Sequence, residues 1–161
     1  MKRTDPFQPV DDEARALARR LLDEAQHGAL ATLEPESGMP MVTRVSVARG
    51  PSGDPLIFIS SLAAHTRALD ADPRCSLLLG EPGKGDPMAH PRITLFCTAR
   101  PFARQDTDFA EALELYLARN PKARLYAGFA DFTLYRLHVD RAGLNGGFGR
   151  AWHLGRNDIV A

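Results

Sequence analysis

Residues Asp54 to Arg74 read DPLIFISSLAAHTRALDADPR, and the rest of the chain is arranged around this stretch. Leu56 to Ile59 is a short apolar strand that ends in two hydroxyls, Ser60 and Ser61. A tight Leu62-Ala63-Ala64 connection follows, and His65-Thr66-Arg67 opens a helix that closes at Asp72-Pro73. A strand, a hydroxyl-bearing turn and a helix start with arginine in its first turn together make a seat for phosphate. Free N–H groups and the positive end of the helix dipole face the anion, and Thr66 and Arg67 add charge-assisted hydrogen bonds. The same pattern also arises from capping or solubility, so it gains meaning only from its neighbours.

Upstream, Gly28 to Glu34 (GALATLE) reads as a strand, Pro35 to Gly38 as a turn, and Met39 to Ala48 (MPMVTRVSVA) as the hairpin partner. In the second strand Val45 and Val47 point one way, while Arg44 and Ser46 point the other. An arginine among valines marks either a half-exposed sheet edge or a face that meets a partner or an anion. Before these strands, Asp11 or Asp12 caps a helix whose apolar stripe is Ala14, Leu17, Ala18, Leu21, Leu22 and Ala25, with Gly28 as its stop. Residues 1–10, with Pro6 and Pro9 and no periodicity, are expected to form a flexible arm, leaving 11–161 as a single domain.

Downstream, Cys75 to Leu79 is a buried strand and Gly80 to Pro91 a Gly- and Pro-rich loop. That loop lacks the Gly-Lys-Ser/Thr ending of a Walker loop. Arg92 to Ala103 is a long strand, and a helix capped at Asp106 or Thr107 carries Phe109, Ala112, Leu113, Tyr116 and Leu117 on one face. Lys122 to Ala127 forms a short turn, Asp131 to Asp140 a strand, and Leu144 to His153 a glycine-rich close with two aromatics. About six strands joined mostly by short turns, with helices that do not alternate strictly, disfavour a doubly wound parallel sheet. The expected class is mainly β (α+β), an antiparallel barrel with flanking helices, in which closure removes long exposed edges.

Composition narrows the function. Lys+Arg and Asp+Glu each number 20, so net charge is zero, and no basic face argues for nucleic acid or a membrane surface. No apolar run spans a bilayer and the N-terminus lacks a hydrophobic signal region, so the expected compartment is the cytoplasm. Cys75 and Cys97 stand in separate apolar runs and read as small buried hydrophobes, with no metal site expected. There is no Ser-His-Asp set, carboxylate pair or metal cluster in the pattern, which leaves the chemistry to a cofactor.

Arg44, the run ISSLAAHTRALDADPR, the strand RITLFCTA, the segment YLARNPKARLYAGFADFTLYRLHVDRA and the terminal GGFGRAWHL occur in an order that resembles a known family. It is that of the pyridoxamine 5'-phosphate oxidase-like, FMN-binding split-barrel proteins, and within it the haem-utilisation (HugZ-type) branch. The resemblance covers essentially everything after residue 10. It implies a homodimer of six-stranded split barrels with FMN in two clefts at the subunit interface, haem being a possible ligand or substrate. It implies that Arg44, Val45, Ser46 and Val47 line the flavin, with Arg44 reaching the phosphate. Ser60 and Ser61 would contact the flavin or ribityl chain, and Thr66 and Arg67 would complete the phosphate seat. His65 either bonds the phosphate or caps the turn. Gly146, Gly147 and Gly149 either let Phe148 to His153, Trp152 included, approach the flavin edge or make a tight turn into a packed C-terminus. The implied function is an FMN-dependent oxidoreductase acting on a small planar substrate, with a non-catalytic flavin or haem carrier as the alternative.

Overall fold

A computed structural model describes residues 5–161. The strands are β1 (His27–Leu33), β2 (Pro40–Ser46), β3 (Ala48–Arg49), β4 (Pro55–Ser60), β5 (Arg74–Leu79), β6 (Arg92–Pro101), β7 (Phe132–Gly147) and β8 (Arg150–Gly155). The helices are α1 (Asp12–Glu24), α2 (Ala64–Ala71), α3 (Phe109–Arg119) and α4 (Arg156–Val160). All strands join one antiparallel sheet in the order β2-β1-β5-β6-β7-β4-β3, with β8 also on β7.

The sheet closes on itself at a single residue. The run expected as one strand over 39–48 is two, because Val47 separates β2, which pairs with β1, from β3, which pairs with β4. β2 and β3 therefore stand at opposite ends of the sheet and are joined by one residue, which makes the sheet a barrel. Val47 is buried, and its N–H donates to the Gln26 carbonyl at 2.9 Å. The opposite wall is β7, 16 residues long, flanked by β6 on one side and by β4 and then β8 on the other. The fold is thus the expected mainly β, antiparallel split barrel with flanking helices, built from eight strands instead of six.

Two cores sit on either side of the β4–β7 wall. β4 is buried along both faces: Ile57 and Ile59 join the barrel interior, while Leu56 and Phe58 face α3. The interior is plugged by Ala14, Ala18, Leu21 and Leu22 of α1, whose N-terminus is capped by Asp11 accepting from the Ala14 N–H at 2.8 Å. Outside the wall, Phe58 is the hub of an aromatic cluster, its ring centroid 5.3 Å from that of Phe132 and 5.8 Å from that of Tyr116. Gly28, expected to stop α1, lies inside β1. There a Cβ would meet Leu77 and Leu79 side-chain atoms at 2.9 and 2.8 Å, so glycine is required by the close approach of β5.

The C-terminal end departs most from expectation. The glycine-rich close is a β7–β8 hairpin turning at Gly147 and Gly149, both with positive φ, and the chain continues into α4. α4 is held by a buried clamp. Asp54, 1% exposed, accepts both Arg156 guanidinium nitrogens, at 2.6 and 3.0 Å, and also the Val139 N–H at 2.9 Å and the Ser52 hydroxyl at 2.9 Å. Burial alone pushes the Asp54 carboxyl up, but the bonds from Arg156, Val139 and Ser52 together outweigh it and hold the pKa below its ordinary value. Within the expected N-terminal arm, Gln8 donates its N–H to the Ala151 carbonyl at 2.8 Å and the Phe7 ring lies against His153. Residues 1–4 of that arm fall outside the described residues. No described helix is long and apolar enough to cross a membrane.

Candidate functional site

The turn between β4 and α2 is built from hydroxyl and carboxylate bonds. Thr66 donates its hydroxyl to the Ser60 carbonyl at 2.6 Å, and the Ala63 carbonyl accepts the N–H groups of Thr66 and Arg67. Those bonds close the first turn and leave the N–H groups of Ala64 and His65 ahead of the first helical bond, at the positive end of the helix dipole. Asp131, just before β7, braces the turn twice: its carboxylate accepts the Ser60 hydroxyl at 2.8 Å and its carbonyl accepts the Ser61 N–H at 2.7 Å. At the other end of the helix, Tyr135 donates its hydroxyl to Asp70 at 3.0 Å. The start of α2 is therefore held rigidly against β4 and β7.

One further bond ties this turn to β2. The Nδ1 of His65 and the hydroxyl of Thr43 are 3.0 Å apart, so the first turn of α2 lies beside the residue preceding Arg44. Burial lowers the His65 pKa below its ordinary value of 6.5, disfavouring the charged ring. Arg44 leaves the opposite face of β2 from Thr43 and Val45 and is exposed. Register places Arg44, Ala29 and Leu78 side by side across β2, β1 and β5. Next to that row is a cleft of about 510 Å³ lined by His27, Thr43, Arg44, Leu78 and Glu81. Among the described residues neither Arg44 nor Arg67 has a carboxylate partner within salt-bridge distance, and both are exposed. Val42 and Leu78, 66% and 44% exposed, stand on the same outward sheet face as Arg44.

The ten residues singled out from sequence thus divide. Arg44, Ser46, Ser61 and Arg67 are exposed, and Ser60 and His65 are half-buried around the α2 turn. Val45 and Val47 are buried in the barrel interior, so any ligand contact from them is through backbone. Thr66 is 3% exposed, and its hydroxyl donates to the Ser60 carbonyl. Trp152, expected at a flavin edge, is 1% exposed and packed in the barrel core opposite Leu144. Gly146 has no Cβ because the Trp152 ring lies 3.1 Å from where one would stand. Thr43 and Asp131 are the braces of the α2 turn that sequence reading missed. Nothing in their local sequence separates them from any other strand threonine or loop aspartate.

The family model for pyridoxamine 5'-phosphate oxidase matches residues 14–145. The Arabidopsis thaliana protein named non-canonical heme oxygenase HOZ, chloroplastic, is 32% identical over 120 residues, which make up 74% of this chain and 36% of that protein. The chain therefore spans about a third of the length of that curated relative. Among solved structures, a heme binding protein from Mycobacterium smegmatis is 29% identical with a TM-score of 0.85, the match covering 94% of this chain and 62% of that one. A protein of unknown function from Agrobacterium tumefaciens is 34% identical with a TM-score of 0.81, covering 98% of this chain and 66% of the other.

Proposed function

The chain belongs to the pyridoxamine 5'-phosphate oxidase family, and from that premise we propose that it binds FMN at the α2 turn and uses it for oxidoreduction of a small planar substrate. What carries the reading is the Thr43–His65 bond, which sets the open N–H groups of α2 beside β2, while Arg44 and Arg67 have no ion pair among the described residues. Such cations, with two unbonded N–H groups, suit a terminal phosphate of about −1.5 to −2 charge. Arg67 and the N–H groups of Ala64 and His65 would hold that phosphate. Ser61 would meet the ribityl chain, and Arg44 would reach the anion from the outward sheet face. Bound flavin supplies the capacity to take up and release electrons. The protein's part is to bind, orient and shield it.

The second partner in this reading is another copy of the chain. Val42, Leu78 and Arg44 share an outward sheet face on which no described helix packs, and a twin barrel covering it would turn an open cleft into a closed one. A second reading, a flavin or haem carrier without turnover, is favoured by the name of one relative, a heme binding protein. Purified protein distinguishes these. A yellow protein whose flavin bands bleach on NAD(P)H addition supports the oxidoreductase. Flavin or haem absorbance that no reductant turns over supports the carrier. Colourless protein that ignores added FMN defeats the proposed site. Sedimentation of the wild type against Leu78→Arg tests the twin: a dimer converted to monomer, with FMN binding weakened in parallel, is the expected result.

A further inference from the structure

Cys75 and Cys97, far apart in sequence, are directly opposite each other in the β5–β6 pair. Both side chains face the barrel interior and both are buried, at 8% and 4% exposed. Residues directly opposed in an antiparallel pair have Cα atoms about 4.5–5.5 Å apart, inside the window of about 4.4–6.8 Å that a disulfide accepts. Their Cβ atoms, about 4.5–5.5 Å apart in such pairs, need to approach by on the order of an ångström. The β6–β7 register shifts beside this pair, between Phe96 and Cys97, with Asp140 the extra residue on β7. Both residues also border a cleft of about 490 Å³ that is lined further by Leu33, Pro40, Arg74, Thr98 and Asp140.

We propose that Cys75 and Cys97 are a cross-strand dithiol, a modification site that closes to an intramolecular disulfide by exchange with a low-molecular-weight aliphatic disulfide. Cys75, the more exposed, attacks as thiolate and forms a mixed disulfide, releasing one small thiol. Cys97 then displaces the second small thiol and forms the Cys75–Cys97 bond. The protein loses two electrons and two protons, and the small disulfide is reduced to two thiols. Burial keeps both groups protonated, Cys75 pushed up to about 12 and Cys97 also raised, so exchange is slow and bulky alkylating agents are excluded. The site is independent of any flavin reading, since neither sulfur touches the α2 turn.

The full chain is incubated natively with cystamine, quenched in acid, and mapped by proteolysis and mass spectrometry without reduction. The expected result is a peptide pair joined through Cys75 and Cys97, an intact mass lower by two hydrogens, and loss of both free thiols counted in denaturant. With Cys97→Ser the expected product is a persistent cystamine half-adduct on Cys75. Two free thiols after prolonged exposure, or separate adducts on each cysteine with no cross-link, overturn the proposal. The wild-type map decides the matter even if the serine variant does not fold.

Discussion

Arg156 and the pair Arg44 and Arg67 are the same side chain in opposite circumstances. Arg156 spreads its guanidinium across the buried carboxylate of Asp54 and also donates to the Val139 carbonyl at 2.8 Å. Its charge is neutralised inside the fold, where it fastens α4 to β7 and to the turn before β4. Arg44 and Arg67 extend from β2 and α2 without an internal carboxylate and are exposed. An arginine satisfied within its own chain stabilises the fold, whereas one held out on a braced turn is available to a ligand. Removing each should consequently fail in a different assay.

The largest effect is expected at the clamp. Asp54→Ala leaves the Arg156 cation and the Val139 N–H without their partner, and breaking such a pair costs about 3–5 kcal/mol. Urea denaturation measures it, and a loss below about 1 kcal/mol would show that water replaces the carboxylate without penalty. The clamp also has a pH signature. The folded pKa of Asp54 lies below the ordinary 3.8, so its contribution is complete above that value and falls away as acid carries the pH down through the folded pKa. Wild type should lose stability in that acid range more steeply than Asp54→Asn; parallel curves would break the assignment.

Next in size are Arg67→Ala and Arg44→Ala. Each should weaken FMN binding on the order of ten- to a hundredfold, corresponding to loss of a charge-assisted bond of roughly 1.5–3 kcal/mol, with stability changed by no more than about 0.5 kcal/mol. Fluorescence titration with FMN and thermal unfolding read the two quantities separately. If Arg44→Ala lowers stability and leaves affinity alone, Arg44 belongs with Arg156. The smallest effect is expected from Thr43→Val, which cuts the bond to His65 and releases the α2 turn from β2. FMN affinity should fall a few-fold, in keeping with a hydrogen bond of about 0.5–1.5 kcal/mol, and an unchanged titration would show that the turn is held well enough by Asp131 and Ser60.

Much of this is legible in the sequence. The α1 stripe, its Asp11 cap and the strand-turn-helix of β4 and α2 follow from periodicity and capping chemistry, which act over a few residues. Exposure of Arg44 and Arg67 follows from alternation along β2 and position on α2. Less legible were the inward turn of the Thr66 hydroxyl to Ser60 and the choice, for Trp152, of the packed core over the barrel surface. A small hydroxyl and an aromatic ring carry the same local signal whether they face a ligand or a neighbouring strand.

The sequence by itself determined the class of the fold, the helices and most strand positions, and the exposure of Arg44 and Arg67, because each depends on short-range pattern and side-chain chemistry. The tertiary structure alone decided the split of residues 39–48 across the barrel seam, the Asp54–Arg156 clamp and the facing of Cys75 with Cys97. Each of those is a pairing between segments distant along the chain. Register is set by how whole strands bury their faces together, which no local stretch encodes.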